Sequence, residues 1–161
     1  MISPTPPPTP LPLVPFTPGH EDLLYPLPAP VPITSGFGMR THPISGTMEF
    51  HQGVDLGAPL GTPILAAFSG QVVQAAMSGG LGNVVSLEHG NKRTRYGHME
   101  KFNVAMGETV SQGSVVGYVG STGLSTGPHL HFELWQQAPT GGWVALDSTD
   151  LLKVAMAQVP S

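Results

Sequence analysis

Apolar and polar residues alternate along much of this chain in runs too short for helices. The cleanest run is His129-Leu130-His131-Phe132-Glu133-Leu134, with Leu130, Phe132 and Leu134 on one face and His129, His131 and Glu133 on the other. A period of two is that of a strand, whose successive side chains point to opposite faces. Residues 62–68, 70–77, 83–88 and 93–98 read as further strands. Ser78-Gly79-Gly80-Leu81-Gly82 and His89-Gly90-Asn91-Lys92 separate them with turn composition. The pattern predicts an antiparallel meander of hairpins that delivers His98 to the end of a strand. His89, at a turn, is expected at the surface without a role, and Lys92-Arg93-Thr94-Arg95 as a solvated hairpin tip. Gly36 and Gly38 bracket Phe37, which predicts a strand with close backbone approach. Helix signals are weak. Asp147-Ser148-Thr149-Asp150 offers caps for one short helix over 151–156, packing on the body.

The expected fold is therefore all-β, antiparallel, with little helix. The recurrent Gly/Val pattern over 107–120 resembles the barrel-sandwich hybrid (duplicated hybrid motif) architecture of biotinyl and lipoyl carrier domains. Those carriers need a modified lysine at a hairpin tip. No lysine lies between Lys101 and Lys153, so the carrier function fails while the fold hint stands.

Composition divides the chain. Residues 1–32 hold 12 of the 18 prolines, and Pro4-Thr5-Pro6-Pro7-Pro8-Thr9-Pro10 reads as a polyproline II segment. We read 1–32 as a proline-rich arm, 33–136 as the folded body and 137–161 as a C-terminal tail. Leu23-Leu24-Tyr25-Pro26-Leu27-Pro28, within the arm, is apolar enough to pack on the body. The 161 residues are 40% apolar, enough for one core, and only 10% charged against about a quarter in ordinary domains. Net charge is −4 with no large basic cluster, so nucleic acid is not an expected partner. No apolar run is long enough to cross a membrane as a helix. The N-terminus has neither the charged nor the unbroken apolar segment of an intact signal peptide.

The chemistry sits in two short stretches, His51-Gln52-Gly53-Val54-Asp55 and His129-Leu130-His131. Three imidazoles and a carboxylate are the ligand types of zinc, and the absence of cysteine excludes a thiolate site. Gly53 argues for a turn or strand end that brings His51 and Asp55 to one point. Tyr96-Gly97-His98 adds a further histidine. Glu133 is a candidate to orient a ligand imidazole from behind. Asn83 and Tyr96 are candidates for the groove lining, and Arg40 for a bidentate contact to a substrate carboxylate. His42, extended before a proline, is a spare ligand or a solvated loop residue.

These stretches resemble the lysostaphin/LytM-type zinc metalloendopeptidases that cleave peptidoglycan. The resemblance runs from Thr34-Ser35-Gly36-Phe37-Gly38-Met39-Arg40 through Gly61-Thr62-Pro63-Ile64-Leu65-Ala66 and Gly120-Ser121-Thr122-Gly123 to Gly127-Pro128-His129-Leu130-His131-Phe132-Glu133, in the family's order. It implies one Zn2+ per chain held by His51, Asp55 and His131. His98 and His129 would be the catalytic pair, one a general base and the other stabilising the oxyanion. It implies a peptidoglycan peptide as substrate, a site of action in the periplasm, the cell wall or outside the cell, and zinc-water chemistry without the H-E-x-x-H helix. Some members lack zinc ligands and act as adaptors that activate other cell-wall hydrolases, which is the alternative reading. The proline-rich arm is a spacer, or a contact for cell-wall protein partners.

Overall fold

The computed structural model describes residues 22–42 and 44–159, so the polyproline segment 4–10 lies outside them. Twelve strands and one α-helix follow one another: β1 (Ile33–Ser35), β2 (Gly38–Thr41), β3 (Met48–His51), β4 (Val54–Gly57), β5 (Pro63–Leu65), β6 (Gly70–Met77), β7 (Asn83–His89), β8 (Lys92–Phe102), β9 (Thr109–Val110), β10 (Val115–Val119), β11 (His129–Gln137), β12 (Trp143–Leu146) and α1 (Thr149–Met156). All pairings are antiparallel. The main sheet runs β1-β4-β11-β8-β7-β6-β9, with β12 on β11 and β10 joining β8 to β5. The β2–β3 hairpin stands apart as a two-stranded sheet. Among the described residues the fold is thus all-β with a single α-helix, as the period-two pattern predicts.

β11 lies between β4 and β8 and carries the alternation that marks it in sequence. Leu130, Phe132 and Leu134 enter the core with Val54, Leu56, Val85, Leu87 and Tyr96. The opposite face presents His129, His131 and Glu133. The core also takes Leu23, Tyr25 and Leu27 from the stretch read as part of the arm. Leu24 N–H bonds Ala67 O at 3.0 Å and Leu65 N–H bonds Pro26 O at 2.8 Å, so this segment lies bound along the body. Burying each leucine there contributes about 1.5–3 kcal/mol. At the other end β12 pairs with β11, and α1 buries Leu152 and Ala155. Asp147 Oδ1, two residues ahead of the helix, accepts from Thr149 N at 3.0 Å.

Two surface expectations are corrected. His89 is buried, 1% exposed. Its Nδ1 lies 2.6 Å from Ser69 O and its Nε2 2.8 Å from Thr94 Oγ1. The ring tucks beside Phe68 and over Gly70, where a Cβ would lie 2.4 Å from Nδ1, so the missing side chain of Gly70 makes the room. Lys92–Arg95 is likewise not a solvated tip. Thr94 is fully buried and Arg95 is paired with Glu133, because β8 continues to Phe102 and this segment is flanked by β7 and β11.

Candidate metal centre

Register assembles the site. In β4, Asp55 faces His131 of β11, and His131 faces Gly97 of β8. Residues opposed across antiparallel strands share a face with Cβ atoms about 5 Å apart, so Asp55 and His131 are neighbours from 76 residues apart. His51 ends β3, and Gln52-Gly53 carries the chain over β11 into β4. A Cβ on Gly53 would lie 2.4 Å from Phe132 O and 2.9 Å from His131 Cε1, so only glycine permits this crossing.

His51 Nε2 lies 3.2 Å from His131 Nδ1 and 3.3 Å from Asp55 Oδ1, and His131 Nδ1 lies 3.0 Å from Asp55 Oδ1. The three ligand atoms fall within 4.8 Å of one another, and all three residues are buried. The outward nitrogens fix the rings. His51 Nδ1 donates to Gly36 O at 2.8 Å, which leaves Nε2 a bare lone pair in the neutral ring. His131 Nε2 donates to Glu133 Oε2 at 2.7 Å. Two nitrogens and a carboxylate oxygen therefore converge where a positive charge belongs.

Charge balance follows from these contacts. Burial would raise Asp55, but the hydrogen bond from His131, with the His51 imidazole beside it, holds its carboxyl well below the usual carboxylate range. Burial would lower His131, but Asp55 on one nitrogen and Glu133 on the other raise it to about 9. Without a cation, then, a proton occupies His131 Nδ1 at neutral pH. Glu133, despite its burial, is held below its ordinary value by His131, Trp135 and Arg95. Its Oε1 accepts from Trp135 Nε1 at 2.7 Å and Arg95 Nη1 at 3.3 Å.

His129 and His98 complete the group. His129 Nδ1 donates to Gly127 O at 2.9 Å. Its Nε2 lies 3.7 Å from Asp55 Oδ1 and is fully buried without a hydrogen-bond partner. His98 Nδ1 donates to Thr122 O at 2.7 Å, and its ring centroid is 4.5 Å from that of His129. Burial pushes His98 down to about 4, with only the Thr122 carbonyl and Asp55 opposing. Strand alternation alone would turn His98 into the core beside Tyr96. A β-bulge prevents this: Val85 faces Tyr96 and Asn83 faces Met99, so one β7 residue spans two of β8. His98 adopts φ 60°, the one non-glycine with a left-handed backbone among the described residues. So His98 sits at a bulge within β8 rather than at a strand end.

The structure thus brings together every residue of the expected set: His51, Asp55, His131, His98 and His129. All five line a cleft of about 650 Å³. Glu133 backs His131. Tyr96 is not a groove residue: it is fully buried, its hydroxyl 2.9 Å from Ala67 N and 2.7 Å from Thr94 Oγ1, and burial raises its phenol above the ordinary range. Asn83 lies outside the cleft lining and bonds the Met99 and Glu100 carbonyls instead. His42 lines the cleft and caps its own loop, its Nδ1 accepting from Ile44 N at 3.2 Å. Sequence reasoning missed the clamp of Trp135 and Arg95 on Glu133. The signal was present, since Trp135 continues the alternate row 129, 131, 133.

A clustered His-Asp-His donor set on a β-sheet floor, flanked by two further imidazoles, defines a metallopeptidase-like centre. The chain belongs to peptidase family M23, whose family model matches residues 49–144. Over 102 residues it is 48% identical to the DD-carboxypeptidase/endopeptidase Mpg of Neisseria meningitidis serogroup B, covering 63% of this chain and 24% of that protein. Over 103 residues it is 43% identical to the peptidoglycan DD-endopeptidase ShyC of Vibrio cholerae serotype O1, covering 63% and 24%. The chain spans about a quarter of the length of these curated relatives. Among solved structures, the catalytic domain of lysostaphin from Staphylococcus simulans aligns with a TM-score of 0.66 at 37% identity, covering 76% of this chain and 92% of that one. A zinc-containing peptidase from Vibrio cholerae aligns with a TM-score of 0.60 at 36% identity, covering 70% and 37%.

Proposed function

We propose that this chain is a zinc-dependent endopeptidase hydrolysing peptide bonds in the stems or cross-links of bacterial peptidoglycan. One observation carries the reading. Four imidazoles line the cleft, each with one nitrogen tied to a carbonyl or a carboxylate, and three of them, His51, His129 and His131, bring their other nitrogen to within 3.7 Å of the Asp55 carboxylate. The donor set fits a zinc ion, which takes histidine nitrogen and carboxylate oxygen. His51 Nε2, Asp55 Oδ1 and His131 Nδ1 would hold it, with the ion replacing the proton that Asp55 and His131 otherwise share. A zinc ion held there supplies Lewis acidity and a water whose pKa falls toward neutral.

The remaining work belongs to His98 and His129. Thr122 O and Gly127 O fix their Nδ1 protons, so Nε2 of each is the atom that takes or returns a proton. One removes the proton of the attacking water, and the other, once protonated, steadies the oxyanion and delivers a proton to the departing amine. The carbonyl bonds hold both rings in this orientation before substrate arrives. A relative named as a peptidoglycan DD-endopeptidase supports the substrate class. Peptidoglycan lies outside the cytoplasm, so the same reading puts the working site in the periplasm or wall. The adaptor alternative depends on a broken ligand set, and no ligand position here is broken.

The test is mass spectrometry of products released from purified peptidoglycan by the zinc-loaded chain, beside His131→Ala and a chelator-treated sample. Cleaved peptides from the wild type alone are expected. Release by the His131→Ala protein at the wild-type rate would overturn the proposed ligand set.

A further inference from the structure

The cleft wall carries one permanent cation. Arg40 is the sole Lys or Arg among the described residues lining it. Arg93 and Arg95, away from the cleft, are paired with Glu88 and Glu133. The Arg40 guanidinium has no hydrogen-bond or ion-pair partner among the described residues. The acid opposite it, Glu49, is engaged elsewhere: its Oε2 accepts from Ser45 Oγ at 3.3 Å and Thr47 Oγ1 at 3.1 Å.

Register gives Arg40 its distance from the chemistry. In the β2–β3 hairpin, Gly38 faces His51 and Arg40 faces Glu49. Alternate residues share a face, so Arg40 stands on the same face as His51, one pleat repeat or about 7 Å along. A peptide extended in the cleft advances about 3.3 Å per residue, so this separation spans about two substrate residues. A guanidinium presents a planar fork of donors that matches a carboxylate.

We infer that Arg40 is a specificity-determining residue that takes a free carboxylate of the substrate, about two residues from the cleaved bond. The preferred substrate class is then an acidic peptide, not an uncharged bridge such as oligoglycine. This rests on the peptidase reading above.

The test uses two peptide cross-links identical except that the carboxylate near the cleaved bond is free in one and amidated in the other. The zinc-loaded chain should favour the acid in kcat/KM by about 10- to 100-fold, the range for a charge-assisted pair. In Arg40→Gln the acid-to-amide ratio should fall toward one, and Arg40→Lys should restore it only in part. An unchanged ratio in Arg40→Gln overturns the inference. Binding of the same pair to the zinc-loaded His129→Gln protein, with and without Arg40→Gln, separates the two readings. If the zinc-loaded wild-type chain cuts neither peptide but acid binding exceeds amide binding only with Arg40 present, the carboxylate site stands and the peptidase reading falls. If binding does not discriminate, the inference about Arg40 falls whatever the turnover.

Discussion

Glu133 Oε2 takes the Nε2 proton of His131 at 2.7 Å, while the opposite nitrogen of the same ring lies 3.0 Å from Asp55. The ring is gripped from behind by a carboxylate that Trp135 and Arg95 hold in turn. Removing such a backing carboxylate typically costs 10- to 100-fold in metal affinity. Glu133→Gln should weaken zinc binding by about that factor, measured by competition with a chromogenic chelator. Trp135→Phe, which removes one bond to Glu133, should give a smaller loss in the same direction. Unchanged affinity in Glu133→Gln would remove it from the site.

The proton on His131 competes with the ion. With His131 raised to about 9, zinc must displace a proton throughout the neutral range. Apparent zinc affinity should rise about tenfold per pH unit up to about pH 9 and level off above it. The chelator-treated chain should show the converse in stability. A raised histidine contributes stability that is fully present below its unfolded value of about 6.5 and is lost as pH rises through about 9. Melting temperature against pH, with and without zinc, reads both effects.

His98 carries the opposite sign. Its value, depressed to about 4, means the unfolded chain binds more protons between about pH 4 and 6.5. Its contribution to stability is present above about pH 6.5 and is lost as pH falls toward 4. In His98→Asn, melting should lose part of its sensitivity to acid over this window, since asparagine does not titrate.

The left-handed backbone at position 98 separates structure from chemistry. Asparagine tolerates φ 60°, whereas a β-branched residue is strained there by about 1–3 kcal/mol. His98→Asn should keep near-native melting and lose peptidase activity. His98→Val should lose both. Equal melting temperatures for the two variants would argue that the bulge relaxes on substitution.

Gly53→Ala should damage the site without touching a ligand. Its Cβ would meet Phe132 O and His131 Cε1, so β4 must shift from β11. Overpacking of this kind costs about 1–3 kcal/mol, and zinc affinity should fall with it. Calorimetric melting and metal titration on the same sample check both.

Periodicity carried much of this protein into view before any coordinates. A strand's two-residue repeat is local backbone geometry, so His129, His131 and Glu133 could be put on one face, with Leu130, Phe132 and Leu134 on the other, from their order alone. The same holds for the hairpins and for Gly53 as the pivot of His51 and Asp55. Tertiary structure decided the rest, because it turns on which distant strands pair and where a register slips. The bulge at His98 reverses the side that its alternation predicts. Tyr96 and His89 looked like groove and surface residues and became core, since the Tyr96 hydroxyl reaches inward to Ala67 and Thr94, and Gly70 leaves space for the His89 ring beside Phe68. Leu23, Tyr25 and Leu27 joined the body although their proline-rich setting reads as an arm. The clamp of Arg95 and Trp135 on Glu133, and the place of Arg40 on the same face as His51, exist only once β8, β11 and the β2–β3 hairpin are folded into place. A one-dimensional pattern records the face of a strand, but not its neighbour.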